Sequence, residues 1–409
     1  MTSLLLAFSM AAAPSSNWPQ FRGPLGDGTT TAKLPTTWSE KDNIRWKTAI
    51  HDKGWSSPVV WGAQIWLTTA KADGREFYAV CLDKTTGKIL HDVPLFSETT
   101  PAFCHAFNSY ASPTPVIEEG RVYCHFGAHG TVCLDTATAK PIWSNRELKC
   151  DHFRGPGSSP VLFENLLILT FDGVDVQYVT ALDKATGKPV WRTERGIKFT
   201  NASVDYHKGY GTPSVITVGG EPQLIAPAPE ATIAYNPRTG KELWRVTTGG
   251  MNQSIKPIHA HGLIYLNSGH DQKLFAVRDG QSGNVKPEGI AWKAAKEAPT
   301  RPSVLVVGDA LTMVNDKAVA TCLDARTGKM HWRERFDGDF TASPVCAGGV
   351  MIFPNENGKT FVIEASKTYT PIAINKLDAG CMASPAIVDN TLLLRTKTHL
   401  YCIAVASGR

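Results

Sequence analysis

Three short stretches hold the residue types that ligate metals or do nucleophilic chemistry: CHAFNSY (104–110), FGAHG (126–130) and CDHFRG (150–155). Thiolates mixed with imidazoles suit Zn2+, so Cys104, His105, His129, Cys150 and His152 stand as weak metal candidates. Their spacing is nothing like the paired C-x-x-C of a zinc site. A Cys104–Cys150 disulfide in an oxidising compartment and unlinked surface residues remain as the other readings, and the spacing favours the last.

Other chemical signatures are absent. The chain has no G-x-S-x-G, H-E-x-x-H, Walker or Rossmann motif, and no D-x-D-x-D-G loop for Ca2+. Its nine cysteines cannot all pair within one chain. Cys81, Cys133 and Cys322 each precede a Leu-Asp pair and Cys402 takes the matching place, so they read as small fillers of a repeated core slot. One phrase recurs, LDKATGKPVW at 182–191, YNPRTGKELW at 235–244 and LDARTGKMHW at 323–332. A catalytic base is needed once, whereas this aspartate comes back with every copy, so it belongs to the framework.

The elements that would position such residues follow from the repeat. The phrase stands at Asp83, Asp135, Asp183, Asn236, Asp324 and, degenerate, at Glu364, in steps of about fifty residues where intact, a period of propellers and solenoids. A second marker lies upstream of each copy: Ser57-Pro58, Ser112-Pro113, Ser159-Pro160, Thr212-Pro213, Lys256-Pro257, Arg301-Pro302, Ser343-Pro344 and Ser384-Pro385. Within one unit, PVLF, LLILTF, QYVTAL and PVWR read as four short strands, A to D, with no helical period. The expected fold is all-β: an eight-bladed propeller of four-stranded antiparallel blades. Gly187 supplies the positive φ of the C–D turn, and Trp191, like Trp143, Trp244, Trp292 and Trp332, is expected to pack between blades. The last unit lacks a D strand, and NIRWKTAI (43–50) supplies one, which would close the ring and remove its open edge. The domains are then 1–16 leader, 17–42 extension and 43–406 propeller. The leader, MTSLLLAFSMAAAPSS, has an apolar core and an A-x-A site, which implies a secreted or periplasmic protein. No later stretch is apolar and long enough for a transmembrane helix. A net charge of +5 over 409 residues, with no basic stripe, argues against nucleic acid.

The L-D-x-x-T-G-K-x-x-W turn in an eight-blade frame resembles the pyrroloquinoline-quinone (PQQ) repeat family, over about residues 40–405. That resemblance implies one of two functions: a PQQ-dependent quinoprotein dehydrogenase oxidising alcohols or sugars with Ca2+, or a cofactor-free BamB-like envelope protein. The dehydrogenases carry an adjacent Cys-Cys pair, a stacking tryptophan and Glu, Asn and Asp around Ca2+. This chain has no Cys-Cys and is much shorter. It also lacks an early cysteine for a lipid anchor, its first being Cys81.

In a propeller the D–A and B–C loops share one face. Here the D–A loops are long and varied, the kind of variation that carries binding on a rigid scaffold. Trp55, Tyr110, Arg154, Lys256, Arg301 and Met382 should ring the channel mouth. The three cations point to an anionic small molecule or an acidic protein partner, while plain solvation of a water-filled channel is the simpler reading. Glycan binding through Trp55 and Tyr110 is a third. The expectation is a monomeric, non-catalytic binding or scaffold module without cofactor, with the dehydrogenase as alternative.

Overall fold

The computed structural model describes residues 16–405; the expected leader over 1–16 lies, but for Ser16, outside the described residues. In the third repeat the four strands are Val161–Phe163, Leu166–Asp172, Gln177–Asp183 and Pro189–Glu194, paired antiparallel in that order. Leu166–Asp172 is buried throughout, as expected of a strand sandwiched between neighbouring sheets. Its C–D turn is held by Asp183, whose Oδ1 accepts the backbone N–H of Ala185 (3.1 Å) and Thr186 (2.8 Å) and the Thr186 hydroxyl (2.8 Å). Gly187 follows at φ +72°, where a side chain would be strained. Asp83, Asp135, Asn236 and Asp324 hold their turns the same way.

The glycine is required twice over. Trp143, on the D strand of blade 2, lies flat against Gly187 of blade 3, and a Cβ there would stand 2.4 Å from the ring. Its indole N–H donates to the Lys184 carbonyl at 3.0 Å. Trp46 meets Gly87, Trp191 meets Gly240 and Trp292 meets Gly328 in the same way, each donating into the next blade's turn. Trp332 donates to Ser366 in the degenerate turn of blade 7. Each of these tryptophans sits opposite a small residue on the neighbouring strand of its own blade: Trp46 to Cys402, Trp143 to Cys133, Trp191 to Ala181, Trp292 to Ala276 and Trp332 to Cys322. The recurring cysteine is therefore a stand-in for alanine beside a bulky ring. Trp244 packs against Ile264, Leu266 and Phe275 of blade 5 as expected, but its hydrogen bond differs. It bonds Gln223 within its own blade, because blade 5 has no Asp-x-x-Thr-Gly turn and instead lays Gly283–Asn284 parallel to Trp244 and Arg245.

Eight such sheets form the ring. Ile44–Ala49 pairs with His399–Ile403, Trp46 opposite Cys402, and so closes the last blade as the sequence predicts. The Pro markers have a physical role at the inner edge. The N–H of Ser57 donates to the hydroxyl of Thr114, Thr114 to Ser159, and Ser159 to Thr212, all within 3.0 Å. Lys256 donates to Ser303, Ser303 to Ser343, and Ser343 to Ser384, again within 3.0 Å. Two markers are thus corrected: the ring position is Thr114, not Ser112, in blade 2 and Ser303, not Arg301, in blade 6. Between blades 4 and 5 the hydroxyl is missing, and Lys256 Nζ donates to the Pro213 carbonyl instead (3.1 Å).

The extension is not a mere lead-in. Asn17 touches the A–B turn of blade 1, and Trp18 bridges Val60 on the innermost strand. The chain then crosses the channel to the far side, where the buried Arg22 guanidinium donates to the carbonyls of Pro344 (3.1 Å) and Val304 (2.8 Å). Thr29–Thr30 pairs parallel with Cys346–Ala347 of blade 7. The segment thus reaches blades 1, 5, 6 and 7 at their inner edges and forms a plug there.

Candidate binding site

Above the plug the D–A loops enclose a funnel of about 510 Å3, within the ~300–1,000 Å3 of small-ligand sites. Four of the six expected mouth residues line it: Trp55, Arg154, Arg301 and Met382. Tyr110 does not. Its ring packs edge-on to Phe77 and its hydroxyl donates to the Ala102 carbonyl, because Gly74 leaves room for it in the core. Lys256 does not either. It is buried between Pro213 and the plug at Gly26, where burial lowers its pKa to about 7.

The floor is Phe21, presented by the plug. The walls carry Phe107, Tyr210, Met251, Asn252, His105 and His270, none of which the repeat pattern announces. They sit on loops whose lengths are legible but whose paths are not. At the neck stand Ser57, Thr114, Ser159, Thr212, Ser343 and Ser384, all buried members of the hydroxyl ring.

The charges cancel locally. Arg154 grips Asp205 through two bonds, Nε to Oδ1 at 2.8 Å and Nη2 to Oδ2 at 3.0 Å. Arg301 Nε lies 2.5 Å from Asp316 and its Nη1 3.7 Å from Glu356. Glu356 also accepts the Thr341 hydroxyl at 2.5 Å. Two cations thus face three carboxylates, which offset the positive charge from which an anionic ligand was expected. Among the described residues Asp205, Asp316 and Glu356 are each engaged by an arginine. His105 accepts the Phe107 N–H on Nδ1, and among the described residues no hydroxyl is bonded to an imidazole of the funnel.

The metal constellation separates into three places. Cys104 and His105 sit at the rim, with the Cys104 thiol pushed up to about 11 by burial. His129 packs at a tilt against Phe77, ring centroids 4.8 Å apart, near Glu98. Cys150 and His152 are buried beside Lys208, whose ammonium lies 3.3 Å from His152 Nδ1, and burial drives the His152 pKa well down. Among the described residues no three His, Cys, Asp or Glu are grouped for a metal ion, and all nine cysteines are free thiols, Cys104 and Cys150 included.

The family model described as outer membrane protein assembly factor BamB matches residues 36–177 and 283–409. No curated protein matches the chain. BamB from Moraxella catarrhalis is similar in structure, at 12% identity and TM-score 0.63 over 88% of this chain and 99% of that one. A quinohemoprotein alcohol dehydrogenase from Comamonas testosteroni is 12% identical, with TM-score 0.69 over 97% and 82% of the two chains. A europium-containing methanol dehydrogenase is 10% identical, with TM-score 0.68 over 95% and 98%. At these identities the likeness is one of fold.

Of the groups that the dehydrogenase branch implies, the funnel lining holds a tryptophan, Trp55, the asparagines Asn108 and Asn252 and one aspartate, Asp205, but no glutamate. There is no adjacent cysteine pair, and the one lining carboxylate, Asp205, is held by Arg154. Ca2+ asks for six to eight oxygens, several of them charged. The residues present do not fit PQQ with Ca2+.

Proposed function

The chain belongs to the family described as outer membrane protein assembly factor BamB, and from that premise we propose that it is a binding module without catalysis or cofactor. It receives its ligand in the funnel on the D–A face. It works in the cell envelope as a secreted or periplasmic monomer, in keeping with the family's description; no helix of the described residues is long and apolar enough to cross a membrane.

One observation carries this reading. Every carboxylate at the funnel is engaged by an arginine, so the site has walls, a floor and hydrogen-bonding groups, but no free acid–base pair and no metal cradle. The long loops are anchored by these pairs rather than left to close on a reacting group.

Titrating the purified protein with PQQ and Ca2+, then assaying alcohols and sugars with a dye acceptor, tests it. The expected result is neither saturable PQQ binding nor dye reduction. A stoichiometric complex that turns over would replace this reading with the dehydrogenase one.

A further inference from the structure

The neck of the funnel carries hydrogen-bonding capacity that the fold does not use. Thr114, Ser159, Thr212, Ser343 and Ser384 each accept a neighbour's backbone N–H on the hydroxyl oxygen. A hydroxyl that accepts one bond still has its own proton to donate, and among the described residues no acceptor takes it. All five are more than nine-tenths buried and line the cavity. On the wall the Asn252 Oδ1 is a buried acceptor with no partner among the described residues, on a residue held at φ +58°. A buried polar atom left single costs roughly 1–3 kcal/mol, which a ligand supplying the missing partner would recover.

The rest of the lining narrows the ligand. Trp55, Phe107, Tyr210 and Phe21 provide aromatic surface on the walls and floor. An aromatic face is the negative side of a quadrupole and attracts the slightly positive C–H bonds of a polyhydroxylated ring. With both arginines paired, an anion would have to displace a carboxylate to find a free cation. An extended peptide is recognised by adding to a sheet edge or lying in a groove, and a funnel stopped by Phe21 offers neither course. What remains is a compact, uncharged molecule with acceptors and donors around an apolar face.

We propose that the funnel is a saccharide-binding site, taking an uncharged sugar unit end-on, with the hydroxyl ring and Asn252 reading its hydroxyls and the aromatic rings its faces. This rests on the binding-module reading and gives it a ligand class.

Isothermal titration of the full chain with cellobiose, maltose and chitobiose tests it, with inorganic phosphate and an acidic hexapeptide as rivals. The expected result is saturable binding of at least one disaccharide, little changed by added sodium chloride. Asn252→Gly removes the orphan amide while keeping a residue suited to the left-handed backbone, and should weaken that binding about tenfold with thermal unfolding no lower than that of the natural chain. Failure of all three sugars at millimolar concentration, or sugar binding untouched by Asn252→Gly, overturns the proposal. So does phosphate or peptide binding that Asn252→Gly weakens, an outcome that would leave the binding module standing. PQQ turnover would remove both.

Discussion

Arg154 and Asp205, on successive D–A loops, close on each other through two bonds of 2.8 and 3.0 Å at the wall of the funnel. The pair fixes two loops relative to one another and cancels a cation that the sequence alone would offer to an anion. Charge-assisted, two-pronged pairs of this kind are the strong ones. Asp205→Asn should leave the guanidinium uncompensated, so that inorganic phosphate, silent against the natural chain at low salt, becomes a measurable ligand by calorimetry. Unchanged phosphate binding in the variant would mean that Arg154 is neutralised by something else.

The tryptophan-on-glycine seam predicts a graded response to one added methyl. At Gly187 an alanine meets both the positive φ and the Trp143 ring at 2.4 Å. At Gly219 the φ is +59° but nothing lies within 4 Å of the new atom. Gly219→Ala should cost about 1–2 kcal/mol from backbone strain alone, and Gly187→Ala at least about 1–3 kcal/mol more for overpacking. Urea midpoints compare them, and equal losses would count against the packing role of the seam.

Arg22 is one anchor of the plug, beside Trp18 and the strand pairing of Thr29–Thr30. Its guanidinium serves carbonyls of blades 6 and 7, and burial lowers its pKa to about 10. Arg22→Met leaves those carbonyls buried without a donor, which costs roughly 1–3 kcal/mol. Limited proteolysis should then cut within residues 18–30 while the blades stay intact. Resistance equal to that of the natural chain would show that Trp18 and the strand pairing suffice.

Lys256 gives a pH dependence. Burial, with Arg22 adding to it and Asp27 opposing, brings its pKa to about 7 from an ordinary 10.5. Between those values the unfolded chain holds the proton and the folded one does not. The contribution of this group to stability therefore rises with pH across that window, by at most about 1.4 kcal/mol per pH unit, and is flat below about 7. Lys256→Met should remove that slope and gain stability at neutral pH. Parallel stability–pH curves for the two proteins would contradict it.

The framework was legible because it repeats. Asp183, Gly187 and Trp191 recur with their spacing, and the orphan strand around Trp46 announces closure. The site was legible only in outline. Trp55, Arg154, Arg301 and Met382 fall where loop-to-face reasoning puts them. Tyr110 and Lys256 do not, because a side chain on a loop can turn into the core or under a plug without changing the pattern around it. The partners that decide the chemistry, Asp205 for Arg154 and Asp316 for Arg301, come from other loops and carry no spacing signal. Nor does anything in NWPQFRGPLGDG state that Phe21 floors a cavity built by residues from the far side of the ring.

The central claim is that this funnel binds its ligand and leaves it chemically unchanged. Hydrogen–deuterium exchange of the full chain, with and without the best-binding disaccharide and followed by mass analysis of the recovered sugar, addresses both halves. The account predicts slower exchange confined to the loops bearing Phe107, Tyr210 and Asn252, an unaltered opposite face and a sugar of unchanged mass. Protection on the C–D turn face, no protection at all, or a sugar recovered two hydrogens lighter would contradict it.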